Sequence, residues 1–152
     1  MTSSSLTPIV PPPQDVVAFW LDAGPQQWFS KSDEFDAAFR ARFEHAHVAA
    51  AARQLDAWLE EATGALALMI LLDQFPRNAY RGTAHMFATD PLAQYFAERA
   101  IAAGHDLAVD PRLRQFFYLP FEHAENLAAQ NRGVTLMEPL DADSLRWAVL
   151  HR

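Results

Sequence analysis

Apolar residues recur at helical spacing along nearly the whole chain. Asp15 to Leu21 carries Val16, Val17, Phe19 and Trp20, and predicts a first helix that Gly24-Pro25 ends. Phe35, Phe39 and Phe43 fall at i, i+4 and i+8, which makes them one stripe of a long helix from about Asp33 to Arg53, with Ser30 or Ser32 as its cap. Leu55 to Glu61, with Trp58, predicts a short helix. Thr63 is placed to cap the next one, which runs through the unbroken apolar block Ala65 to Leu72 and on to about Gln74. A helix with no polar face is buried on all sides, so this one is expected at the centre. A buried strand is the rival for the block, but its Ala, Leu and Met content and its helical neighbours favour a helix.

Asp90-Pro91 and Asp110-Pro111 each pair a capping aspartate with a proline suited to the first helical position. The first of these helices is expected to reach Ala103 and stop at Gly104 in the left-handed conformation; the second is expected to reach Tyr118. Pro120 opens a helix continuing to around Met137, and Asp141 or Asp143 caps a last short one containing Leu145, Trp147 and Leu150. The expected architecture is all-α, with antiparallel helix pairs stacked as a bundle or short solenoid. Residues 1–13, with Ser3-Ser4-Ser5 and Pro11-Pro12-Pro13, read as a disordered leader, and residues 14–152 as a single helical domain.

At 152 residues, 51% hydrophobic and 20% charged, the chain is long and apolar enough to build one substantial core. Its net charge of -7, with no run of Lys or Arg, argues against nucleic acid or an anionic membrane as partner. Cysteine is absent, which removes disulfides, thiolate catalysis and cysteine-ligated zinc. The longest apolar run is too short to span a bilayer, and the N-terminus lacks the features of a signal peptide. A cytoplasmic protein is expected.

Two stretches set ionisable groups against proline-marked breaks in apolar surroundings: Leu71-Leu72-Asp73-Gln74-Phe75-Pro76-Arg77-Asn78 and Phe117-Tyr118-Leu119-Pro120-Phe121-Glu122-His123. A buried charge without a partner costs several kcal/mol, so these stretches predict a buried polar cluster. Asp73 near a helix C-terminus needs a cation, and Arg77 or Arg81 can supply it. One reading is a structural Asp–Arg pair with Asn78 bonded to the turn backbone; the other is that Arg77 and Asn78 grip an anionic ligand. Glu122, third in a helix opened by Pro120, complements the exposed N–H groups there. Alternatively Glu122, His123 and Glu125 form an acid/base or metal group. Glu44-x-x-His47 has di-iron spacing, but a bundle of that kind needs a second such motif, which is missing. His45, His85 and His105 stand alone and read as surface or structural histidines. Five dispersed glycines make no phosphate loop, and no Gly-x-Ser-x-Gly elbow occurs.

With these motifs in hand, the chain resembles the bacterial family called domain of unknown function 924. The likeness rests on Phe19-Trp20, Trp28-Phe29, Phe35-Asp36, Leu55-Asp56-x-Trp58, the Leu72 to Asn78 motif, Phe87-Ala88-Thr89-Asp90, the Phe117 to His123 motif and Gln130. It covers Asp15 to Met137. The resemblance implies a multihelical fold similar to tetratricopeptide-repeat proteins and supplies no activity. Family members continue with a further helical segment, so here, where the chain ends at His151-Arg152, an incomplete site and a partly exposed apolar face are expected.

The expected function is that of a helical scaffold or binding module for a protein segment or a small polar, anionic ligand. Asp73, Gln74, Arg77, Asn78, Arg81, Glu122, His123 and Glu125 would form the ligand-binding or buried polar cluster. The alternative is a hydrolase or metal-dependent enzyme using the same Glu/His/Asp/Arg groups. No cofactor and no dedicated metal site are expected, and an apolar face would suit a homodimer.

Overall fold

The computed structural model describes the backbone of residues 10–150 and the side chains of residues 10–140. It is all-α: seven α-helices and several 3-10 turns, with no strand among the described residues. No helix among them is long and apolar enough to cross a membrane. Residues 1–9 of the expected leader lie outside the described residues, and Pro13 is already the first residue of a helix.

Helix α1 (Pro13–Trp28) is two helical pieces joined at Gly24, whose φ of 74° and ψ of 172° suit a residue without Cβ, and Pro25 starts the second piece. Helix α2 (Asp33–Ala51) is capped by Ser32, whose hydroxyl accepts the Phe35 N–H at 3.2 Å. The predicted stripe packs inward: Phe39 and Phe43 are fully buried, and Phe19 from α1 stacks on Phe35 and Phe39. Trp20 and Trp28 stack on each other and meet Phe116 edge-on, and the Trp28 indole N–H donates to the Trp20 carbonyl at 2.7 Å.

The centre of the fold is α3 (Ala62–Met69), a π-helical turn (Ile70–Gln74) and α4 (Phe75–Ala79), which follow one another without a break. Every residue from Gly64 to Pro76 is buried, as an apolar helix requires. Two expectations fail here. Thr63 is not the cap, since the helix begins at Ala62 without a side-chain cap, and Pro76 does not end the helix. The π turn is what admits the proline. The Phe75 N–H reaches back five residues to the Ile70 carbonyl, and Pro76 has no N–H to give. The Leu71 and Leu72 carbonyls thereby lose their ordinary helical donors. Side chains replace them: His47 Nδ1 donates to the Leu71 carbonyl at 2.8 Å, and the Thr89 hydroxyl to the Leu72 carbonyl at 2.7 Å.

Helix α5 (Asp90–Ala102) packs on α3 and ends before Gly104, which takes the left-handed conformation at φ 80°. Asp110 caps the next stretch by accepting the Arg112 N–H at 2.9 Å, but Pro111–Phe117 is 3-10 rather than α-helical. The single helix expected from Pro120 to Met137 is divided. Helix α6 (Leu119–Glu122) stops at His123, and α7 begins only at Leu127, with the Asn126 side chain accepting the Ala129 N–H. Helix α7 (Leu127–Leu150) runs through Pro139 without a new start at Asp141 or Asp143; the side chains of that last expected helix lie outside the described residues.

Candidate functional site

The polar cluster is organised by Asp73, whose side chain is 1% exposed. It was expected at a helix C-terminus; the helix instead continues to Ala79, so Asp73 sits inside it and its charge is met entirely by side chains. Oδ1 accepts from His123 Nδ1 at 2.8 Å and from Arg77 Nη1 at 3.2 Å, and Oδ2 accepts from Gln74 Nε2 at 2.8 Å. Such convergence of donors is what makes a buried carboxylate tolerable.

Arg77 is equally committed. Its Nη1 also donates to the Asp73 carbonyl at 2.8 Å, and its two terminal nitrogens grip both oxygens of Asp90 at 2.8 and 2.9 Å. Burial opposes the Arg77 charge, but the bonds to Asp90 and the attraction of Asp73 and Asp90 outweigh it and hold the guanidinium above its ordinary pKa. Asp90 therefore serves a different purpose from the one its sequence context suggested. It makes no side-chain cap for α5 and is the partner of Arg77.

Asn78 and Arg81 turn to another carboxylate, Asp36 on α2. Asn78 Nδ2 donates to Asp36 Oδ1 at 2.9 Å, and Arg81 Nε donates to Asp36 Oδ2 at 2.7 Å. Arg81 thus has no bond to Asp73. Glu122 and Glu125 are exposed and make no hydrogen bond to Asp73, Arg77 or His123 among the described residues. The structure brings together Asp73, Gln74, Arg77 and His123, sets Asn78 and Arg81 beside them, and leaves both glutamates outside.

Glu44 and His47, which shared di-iron spacing, diverge. Glu44 accepts from the Tyr80 hydroxyl at 2.7 Å and from Arg40, and the Tyr80 bond leads in holding its carboxyl below the usual range. Burial, followed by the bond to Glu44, pushes the Tyr80 hydroxyl up to about 12. His47 is fully buried. Because its Nδ1 donates to the Leu71 carbonyl, Nε2 of the neutral ring is an acceptor, and His85 Nε2 donates to it at 3.0 Å. Burial, reinforced by the neighbouring His85, keeps the His47 pKa below its ordinary value. His105, another lone histidine, bonds the Leu59 carbonyl at 2.8 Å. No group of three or more His, Asp or Glu among the described residues is arranged to hold a metal ion.

Sequence reasoning missed Asp36, Asp90 and the His47–His85 pair. Asp36 and Asp90 both stand in stretches on which the family resemblance rests, Phe35-Asp36 and Phe87-Ala88-Thr89-Asp90, but each lies at a helix start, where an aspartate already has a local explanation.

Two clefts open beside the cluster. One, of about 480 Å³, is lined by Trp28, Phe29, Gln74, Asn78, Arg81 and His123 among others. The second, of about 490 Å³, is lined by Phe87, Asp90, Gln94 and Glu125 among others. Arg77 and His123 border both. His123 is held by Asp73 through Nδ1, and its Nε2 has no partner among the described residues. A histidine oriented by a carboxylate in this way can accept from, donate to or exchange a proton with a bound group.

The comparisons agree with the reading of the motifs. The description "Bacterial protein of unknown function (DUF924)" matches residues 16–149. A solved structure of a protein of unknown function from Agrobacterium tumefaciens is similar at 61% identity and a TM-score of 0.83, covering 84% of this chain and 73% of that one. No curated protein matches. From the central Asp-Gln-Phe-Pro-Arg-Asn motif to the Phe-Glu-His turn that closes on it, this chain belongs to the DUF924 family of bacterial proteins.

Proposed function

We propose that the protein is a helical binding module that holds a small polar ligand in the clefts around His123. The observation that carries the reading is the fixed His123 ring. Its Nδ1 is tied to the buried Asp73, leaving one unpaired nitrogen at the border of two clefts. Each cleft falls within the roughly 300–1,000 Å³ range of small-molecule sites. Arg77 supports the site, its terminal nitrogens bracing Asp90 and Asp73 beside the His123 ring. A cytoplasmic location, expected from the cysteine-free composition, suits this reading.

The test is a thermal-shift panel of small polar compounds on wild-type protein and on His123→Gln, with NMR of the His123 ring as a second readout. Compounds that raise the wild-type midpoint and shift the His123 resonances, and act more weakly on the variant, are expected. A panel in which nothing moves either signal sinks the proposal. Turnover of ester or phosphate substrates that is lost in His123→Gln would move the protein to the enzymatic alternative.

A further inference from the structure

The two clefts that meet at His123 differ in what lines them. The cleft of about 490 Å³ includes the carboxylates of Asp90 and Glu125. The cleft of about 480 Å³ has no Asp or Glu in its wall among the described residues. It has Lys31, Arg77, Arg81 and His123, with Gln74 and Asn78 among them. The carboxylates behind this wall are already filled. Asp73, 1% exposed, accepts from His123, Arg77 and Gln74, and Asp36, 14% exposed, accepts from Asn78 and Arg81.

The groups that hold those carboxylates keep N–H bonds to spare. Gln74 is 6% exposed and Asn78 is 5% exposed. Carboxylate oxygens only accept, so each amide turns its NH2 group to its carboxylate, Gln74 to Asp73 at 2.8 Å and Asn78 to Asp36 at 2.9 Å. Each NH2 group carries two hydrogens and makes one bond, which leaves one N–H of each amide without a partner among the described residues. Gln74 and Asn78 are four residues apart on one continuous helix and lie on the same face. Arg81 bonds Asp36 through Nε at 2.7 Å, and its Nη2 reaches Asp36 and the Ser30 carbonyl only at 3.4 Å. Its Nη1 has no partner among the described residues. The carbonyl ends of the two amides remain as acceptors for bound water or a ligand hydroxyl.

The charge balance narrows the class further. With His123 protonated, Asp36, Asp73 and Asp90 are matched by Arg77, Arg81 and His123, and Lys31 at the rim bonds Asp33 at 3.0 Å. The cleft therefore offers many donors but no large surplus of positive charge. A phosphate dianion calls for uncompensated cations, whereas the two oxygens of one carboxylate are satisfied by several converging N–H groups. A bound anion also favours the imidazolium form of His123, whose Nε2–H is then one more donor. Trp28, Phe29, Met86 and Leu119 supply apolar wall, and Phe29 is 63% exposed, so an apolar body on the ligand gains by covering it.

We infer that this cleft takes a monocarboxylate carried on an apolar body, its oxygens accepting from the spare N–H groups of Gln74, Asn78 and Arg81 and from His123 Nε2. The inference rests on the proposed binding function and names the class of ligand. It keeps the anionic ligand that the sequence motif allowed, but the open guanidinium edge belongs to Arg81, since the terminal nitrogens of Arg77 bond Asp90.

The test titrates the full chain with benzoate, inorganic phosphate and benzylammonium, followed by NMR of side-chain amide, guanidinium and imidazole nitrogens. Benzoate is expected to shift Gln74, Asn78, Arg81 and His123 saturably, with phosphate weaker and benzylammonium without effect there. Arg81→Lys keeps a cation beside Asp36 and removes the spare guanidinium edge, and should weaken benzoate binding by about tenfold, as for loss of a hydrogen bond to a charged group. Unchanged affinity in that variant overturns the inference; if the variant does not fold, the resonances of the unmodified protein decide the matter. Phosphate binding more tightly than benzoate, or benzylammonium moving these nitrogens while benzoate does not, overturns the carboxylate class but leaves the cleft a binding site. Benzoate that shifts only residues elsewhere also overturns it. Silence from all three probes overturns it as well, and only a silent thermal-shift panel beside that silence removes the binding function itself.

Discussion

Arg77 holds Asp90 through two parallel hydrogen bonds, Nη1 to Oδ1 at 2.8 Å and Nη2 to Oδ2 at 2.9 Å, and so fastens the end of the central helix to the start of α5. Both side chains are mostly buried, at 17% and 16% exposure. A planar fork meeting a carboxylate this way fixes direction as well as distance.

Asp90→Asn keeps the shape and removes the charge. The variant should lose about 2–4 kcal/mol in urea unfolding, because a mostly buried guanidinium is then left with Asp73 as its only anionic partner. A loss below about 0.5 kcal/mol, the level of an exposed ion pair, would show that this pair does not brace the fold.

The Leu72 carbonyl depends on Thr89, because Pro76 has no N–H to offer it. Thr89→Val, similar in volume, should cost about 1–2 kcal/mol by leaving a buried carbonyl without its side-chain donor. An unchanged unfolding midpoint would mean that the π turn satisfies this carbonyl from its own backbone.

His47 makes stability pH-dependent. In the folded protein burial, with His85 adding to it, holds the ring below its ordinary value of 6.5. As the pH falls through about 6.5 the unfolded chain takes up a proton that the folded chain refuses, so stability declines on acidification. At higher pH both states are neutral and this contribution is flat. His47→Asn, whose amide can still donate to the Leu71 carbonyl, should reduce the slope of stability against pH on the acid side of 6.5. An identical slope in variant and wild type would assign the acid sensitivity to other groups.

Gly64 lies where the central helix presses on the 3-10 turn Asp56–Glu60. A Cβ there would sit 2.2 Å from the Trp58 carbonyl oxygen. That neighbour is backbone and cannot rotate aside, so Gly64→Ala should destabilise by about 2–3 kcal/mol despite the better helix propensity of alanine. A gain in melting temperature would show that the turn can move away freely.

Local physics made much of the fold legible in the sequence. The Phe35, Phe39 and Phe43 stripe, the Ser32 cap, the all-apolar central helix and the Gly104 stop all depend on residues within one or two helical turns of each other. The central proline was misread for a reason that is not local. A proline at such a position usually ends a helix, and here Pro76 is carried through because His47 and Thr89, distant in sequence, satisfy the carbonyls that the π turn releases. The long helix expected from Pro120 was misread in a related way. The break at His123 puts its ring against Asp73, fifty residues earlier.

The sequence by itself determined that the chain is helical, which helix lies at the centre, and that Asp73 must be buried with partners. All of these follow from hydrophobic period and the cost of desolvating a charge. Only the tertiary structure decided who those partners are. A carboxylate accepts from any donor within reach, and reach is set by how helices pack, so Arg77 went to Asp90, Arg81 to Asp36 and His123 to Asp73, while Glu122 and Glu125 stayed at the surface.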